Sequence, residues 1–128
     1  MKVMKFGGTS VGSASAMLKV KEIVERSTEN TVVVVSAMGG ITDRLIKTAV
    51  MASEGSTSYT DELQIIIEKH HTAIAELLGT SDRAKNVTEK VDAMLDELSN
   101  IYKGVYLIKD LSCLLYTSDA ADELDGVD

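Results

Sequence analysis

At 128 residues, with 45% hydrophobic and 26% charged side chains, the chain suits one globular domain with a modest core. A formal net charge of −7 argues against a nucleic-acid backbone or an anionic membrane as the main partner, and no apolar run reaches the length of a membrane span. The single cysteine, Cys113, excludes an internal disulfide and fits a reducing, cytoplasmic setting, and the absence of proline suits long helices.

Lys2 to Phe6 reads as a first strand. Gly7-Gly8-Thr9-Ser10-Val11-Gly12 follows as a glycine-rich turn. Ser13 to Arg26 then reads as a helix, because Ala16, Met17, Val20, Ile23 and Val24 share one face, and Ser13 or Ser15 suits its N-cap. Thr31 to Val35 is an unbroken β-branched run, which predicts a parallel strand buried on both faces. Strand, helix and strand together make a βαβ unit.

A second glycine turn, Ser36-Ala37-Met38-Gly39-Gly40, follows the second strand. Thr42 or Asp43 is expected to cap the next helix, with Leu45, Ile46, Ala49 and Val50 as its apolar face. Ser53 to Thr60 reads as a loop, and Asp61 to Leu78 as a helix that Gly79 ends. Ser81 or Asp82 starts a last helix, whose stripe is Val87, Val91, Met94, Leu95, Leu98, Ile101, Tyr102 and Val105. The two long helices are expected to pair antiparallel on one flank of the sheet. The fold class is therefore α/β with a parallel sheet.

Ligands of such sheets bind beyond the carboxyl ends of the strands, so both glycine turns should open on one rim. A strand–glycine–helix junction aims backbone N–H groups and the positive end of a helix dipole at an anion such as phosphate. Lys5, at the strand end, can add a point charge. The turn is neither a Walker A loop, because Ser13 stands where that motif needs lysine, nor a G-x-G-x-x-G fingerprint. Without more, a tight βα turn beside a solvated lysine explains it as well. His70 and His71 lie on and beside an apolar helix stripe with no partner at ligand spacing, which reads as structural, and no metal cage is apparent.

As a unit, Lys5-Phe6-Gly7-Gly8-Thr9-Ser10-Val11 resembles the signature of aspartate kinases, within the amino-acid kinase superfamily. The resemblance implies a three-layer amino-acid-kinase fold, of which this chain would hold the N-terminal part. It implies ATP-dependent phosphorylation of the side-chain carboxylate of L-aspartate, the first step toward lysine, threonine and methionine. It puts Lys5 on the ATP phosphates as the catalytic cation, with Phe6, Gly7, Gly8, Thr9 and Ser10 forming the phosphate turn. Ser36 and Thr42 would contact aspartate. Mg²⁺ would arrive with the nucleotide. In the second turn Asp43 replaces the family's commoner asparagine. Ile101-Tyr102-Lys103-Gly104-Val105 is more similar to the bifunctional aspartokinase–homoserine dehydrogenase type. The full-length protein is expected to be a homo-oligomer.

The resemblance covers residues 1–112. From Cys113 to Asp128 the sequence leaves the family pattern and is similar to a translated sequencing adaptor, so a non-native tail is expected there. The later Gly-Glu motif, the second glycine-rich loop and the regulatory domains of the family are not found, so the 128 residues alone are expected to be inactive. Two alternatives stand beside this reading. One is another amino-acid kinase, acting on glutamate, acetylglutamate, carbamate or UMP. The other is a non-catalytic module in which the helix pair mediates association.

Overall fold

The computed structural model describes residues 1–109. The tail expected from Cys113, and the boundary before it, lie outside the described residues. The α/β class is as expected. Strand β1 (Lys2–Phe6) and strand β2 (Thr31–Val35) pair in parallel, with Lys5 opposite Val34 and Phe6 opposite Val35. Helix α1 (Ala14–Glu25) makes the crossover, and the Ser13 hydroxyl caps it by accepting from the Ala16 N–H at 3.2 Å. Helices α2 (Ile41–Ser53), α3 (Tyr59–Leu78) and α4 (Asp82–Ile108) follow.

The core lies among α2, α3 and α4. Ala49 and Ala52 let α2 approach closely, and Tyr59, Leu63, Tyr102 and Val105 fill the space against them. Tyr102 is completely buried, and its hydroxyl donates to Leu45 O at 2.8 Å. The Tyr59 ring meets Tyr102 edge-on at 6.5 Å and Tyr106 at 5.3 Å. The start of α3 thus meets the end of α4, so the pair is antiparallel as expected. Ile41, Ile66 and Leu95 form a second cluster nearer the glycine turns. Ile66 is 1% exposed, and burial of that kind contributes about 2 kcal/mol per side chain.

The expected burial of β2 on both faces does not hold. Val32 to Val35 are 39–56% exposed, because β1 is the only neighbouring strand among the described residues and α2, α3 and α4 pack chiefly on one another. The apolar face of α2 is also rotated from the expected one. Ile46 and Val50 are exposed, while Ile41, Thr48, Ala49 and Ala52 are buried. Thr48 tolerates this because its hydroxyl donates to Arg44 O one turn earlier, at 2.6 Å. Ile23 and Met94 are likewise exposed, although sequence periodicity placed both on apolar faces. Helix α4 runs through Gly104 to Ile108, and Lys109 ends it in the left-handed region at φ 54°.

Candidate functional site

β1 and β2 deliver their carboxyl ends side by side. The Ser36 N–H donates to Phe6 O at 3.1 Å, which carries the parallel pairing one residue past β2 and holds both turns together. The first turn is closed from within: Val11 N–H reaches Gly7 O, and Gly12 N–H reaches Thr9 O, each at 3.3 Å. Buried Val11 and Ala14 anchor its far side.

The two turns touch backbone to backbone. A Cβ on Gly8 would stand 3.3 Å from Gly39 Cα, and a Cβ on Gly39 would stand 3.0 Å from Gly8 O. Gly12 joins the same contact, since a Cβ there would lie 3.1 Å from Gly8 O. Gly8 and Gly39 are therefore required by packing between the turns, and Gly12 by the close packing of the first turn on itself. A Cβ on Gly7 would meet nothing within 4 Å, so Gly7 leaves open space in front of the first turn.

Among the described residues, no protein acceptor takes the N–H groups of Gly8, Thr9, Ser10, Gly39 or Gly40. A cluster of unpaired amides from two adjoining turns is suited to anionic oxygen. Lys5 is exposed, and no described carboxylate pairs with it. Phe6 is half-buried, whereas Thr9 and Ser10 are exposed. The structure thus gathers Lys5 to Ser10 and Ser36 to Gly40 at one rim.

Thr42 sits differently from expectation. Helix α2 begins at Ile41 with Gly40 as its N-cap, in the left-handed region at φ 81°, and no side chain caps it. Thr42 and Asp43 are inside the first turn, so neither is the cap. The reason is local: the positive φ that glycine accepts turns the chain into the helix earlier than a threonine cap would. Thr42 is exposed, with its hydroxyl free of a capping bond, and Ser36 donates its hydroxyl to Ala37 O at 3.0 Å.

An open hollow of about 290 Å³ at this helix start is lined by Gly40, Asp43, Arg44 and Lys47. Its cations are held from behind by Glu62, at 2.6 Å from Arg44 Nη1 and 3.4 Å from Lys47 Nζ. Partial burial pushes the Glu62 carboxyl up, but bonds and charge from Arg44 and Lys47 outweigh it and hold the group below its ordinary range.

Sequence reasoning missed Lys69. Its ammonium donates to Gly39 O at 2.6 Å, tying the second turn to α3. Beside it a groove of about 400 Å³ runs from Gly12 and Ser13 past Met38 to Thr72 and Glu76. The one sequence signal was position, since Lys69 follows the core residue Ile66 by three and so shares its side of the helix. His70 and His71 do not join the site. The His70 ring bonds Ile66 O at 2.7 Å, and His71 Nε2 pairs with Asp92 of α4 at 2.5 Å. Among the described residues no group of three His, Cys, Asp or Glu side chains is placed to hold a metal ion, and no helix is long and apolar enough to cross a membrane.

Residues 1–114 match the amino acid kinase family. The chain is 39% identical over 87 residues to a bifunctional aspartokinase/homoserine dehydrogenase, chloroplastic, of Daucus carota, covering 67% of this chain and 9% of that protein. It is 36% identical over 115 residues to aspartokinase 1, chloroplastic, of Arabidopsis thaliana, covering 86% of this chain and 19% of that protein. Among solved structures, E. coli aspartokinase III in complex with lysine and aspartate (T-state) superposes with a TM-score of 0.69 at 26% identity. That match covers 84% of this chain and 23% of the other. The chain thus spans 9% and 19% of the length of the two plant relatives.

Proposed function

The chain belongs to the amino acid kinase family, and from that membership we propose that it carries the phosphate-binding turns of an aspartate kinase. The proposed reaction transfers the γ-phosphoryl group of ATP to the side-chain carboxylate of L-aspartate. The observation that carries this reading is the backbone contact between Gly8 and Gly39. It merges two sets of unpaired amides into one cradle beside Lys5, at the carboxyl ends of two parallel strands.

The donor set fits ATP. Amides and a lysine suit phosphate oxygens, and Mg²⁺ would ride on those phosphates rather than in a protein cage. When bound, ATP supplies the phosphoryl group. Gly8, Thr9 and Ser10 hold its oxygens by their N–H groups, and Phe6 backs the turn. Gly7 leaves the approach open. Lys5 offsets the charge that develops in the loose transition state, where positioning and electrostatics do most of the catalytic work. Ser36 and Thr42 orient aspartate toward the same rim, and the aspartate-bound E. coli structure lends this substrate support.

Activity is proposed for the polypeptide of the relatives' full length. Its place in lysine, threonine and methionine synthesis, its assembly as a homo-oligomer and its cytoplasmic setting belong to the same proposal, although the plant relatives are named chloroplastic. The 128 residues alone are expected to be inactive, and residues 113–128 to be a non-native tail. Relatives of both the bifunctional and the single-function type align, and the bifunctional subtype is kept on Ile101 to Val105.

The test is trapping of aspartyl phosphate with hydroxylamine by the full-length polypeptide. Lys5→Ala should lower kcat at least about a hundredfold. Turnover of glutamate, acetylglutamate, carbamate or UMP in place of aspartate would overturn the substrate, and an intact Lys5→Ala rate would overturn the role of Lys5.

A further inference from the structure

We propose that Lys69 is a positioning residue of the phosphoryl-transfer site, acting through the Gly39–Gly40 peptide; this rests on the aspartate kinase reading above. Lys69 Nζ lies 2.6 Å from Gly39 O, a bond between residues 30 apart in the chain. A charge-assisted donor to a carbonyl is among the stronger hydrogen bonds available to a loop. The Gly39–Gly40 peptide is trans, so its carbonyl and its N–H point in opposite directions. With the carbonyl drawn to α3, the Gly40 N–H is directed away from α3, and no described protein group accepts from it.

A Gly-Gly peptide is otherwise the easiest in the chain to flip, because neither residue carries a Cβ. Three other supports hold this one. Ile41 N–H donates to Met38 O at 3.0 Å across the turn, Ile41 packs on Ile66 in the core, and Gly39 rests on Gly8. None of these selects the orientation of the carbonyl, since a turn closed by that bond accommodates either orientation of its central peptide. The ammonium of Lys69 does. The peptide also lies between Ser36 and Thr42, so a flip would disturb the proposed aspartate contacts more than the first turn.

The full-length polypeptide separates this role from a merely structural one. Lys69→Met keeps the aliphatic stem and removes the donor, while Lys69→Arg restores a cationic donor. The expected result for Lys69→Met is a rise of about fivefold or more in the KM for aspartate together with a fall in kcat, with the KM for ATP within about twofold. Lys69→Arg should recover most of both. Amide hydrogen exchange read by mass spectrometry supplies a measure independent of activity, and Lys69→Met should exchange faster over residues 38–42 with the rest of the chain unchanged. Wild-type kinetics and wild-type exchange in Lys69→Met would overturn the inference, as would equal damage to both KM values. Faster exchange at 38–42 in Lys69→Met, alongside a wild-type polypeptide that phosphorylates no aspartate, would support the role of Lys69 in holding the turn and sink the aspartate reading instead. Should Lys69→Met fail to fold, Lys69→Gln carries the same comparison.

Discussion

Gly39 rests against Gly8 so closely that a methyl group on Gly39 would stand 3.0 Å from Gly8 O. The neighbour at that distance is backbone, which cannot swing aside as a flexible side chain would. Gly39→Ala should therefore push the two turns apart and destabilise the chain by about 1–3 kcal/mol, read as a shift in the urea midpoint. Gly7→Ala is the control, since a Cβ there meets nothing within 4 Å, and its midpoint should move by less than about 0.5 kcal/mol equivalent. Equal midpoints for the two variants would contradict the packing role of Gly39.

Thr42 is exposed and does not cap α2. Thr42→Val should accordingly leave thermal stability within about 0.5 kcal/mol of wild type. In the full-length polypeptide the same change should raise the KM for aspartate about tenfold, because it deletes a hydroxyl the proposed substrate would bond. A large loss of stability would restore the capping role expected from sequence.

Tyr102 joins α4 to α2 through its bond to Leu45 O at 2.8 Å, in a position with no exposure. Tyr102→Phe should cost about 1 kcal/mol near neutral pH. Burial pushes the Tyr102 phenol far above its ordinary value of 10.0. The unfolded chain therefore releases this proton first, and the stability the buried phenol contributes is intact below pH 10 and declines as the pH rises beyond it. Chemical denaturation between pH 9 and pH 11 should show a steeper decline for wild type than for Tyr102→Phe. Parallel curves would refute the linkage.

Glu62 holds Arg44 and Lys47, and its carboxyl titrates below the ordinary value of 4.5. A depressed carboxylate contributes stability above its unfolded pKa, and that contribution is lost as pH falls through the folded one. Glu62→Gln should be less stable than wild type at pH 7, and the difference should close in acid below the ordinary carboxylate range. A difference that persists unchanged at pH 3 would point to packing rather than charge. Because the pair is partly solvated, salt should also narrow it.

Much of this molecule follows from short stretches of chain. The β-branched run Thr31 to Val35 makes a strand, and apolar periodicity makes the long helices, because both preferences act within a few residues. The glycine-rich turn behind Lys5 suggests an anion site for the same reason: backbone freedom and helix polarity are local properties. Other features depend on what arrives from elsewhere. Thr48 rather than Val50 faces the core because Tyr102 packs on Ala49 and Ala52, and the Thr48 hydroxyl is satisfied within its own helix. Helix α2 starts one residue before Thr42 because Gly40 takes a positive φ.

The sequence alone determined the order of elements, the two glycine turns and the residues expected to carry phosphate chemistry, since each rests on neighbours in the chain. Only the tertiary structure decided that the turns share one cradle. Gly8, Gly12 and Gly39 meet through backbone atoms whose closeness no side-chain pattern records. Lys69 reaches Gly39 O from a helix that periodicity places but does not aim at the turn. Pairing over such a distance in sequence is set by how helices pack, and that is settled only when the whole core closes.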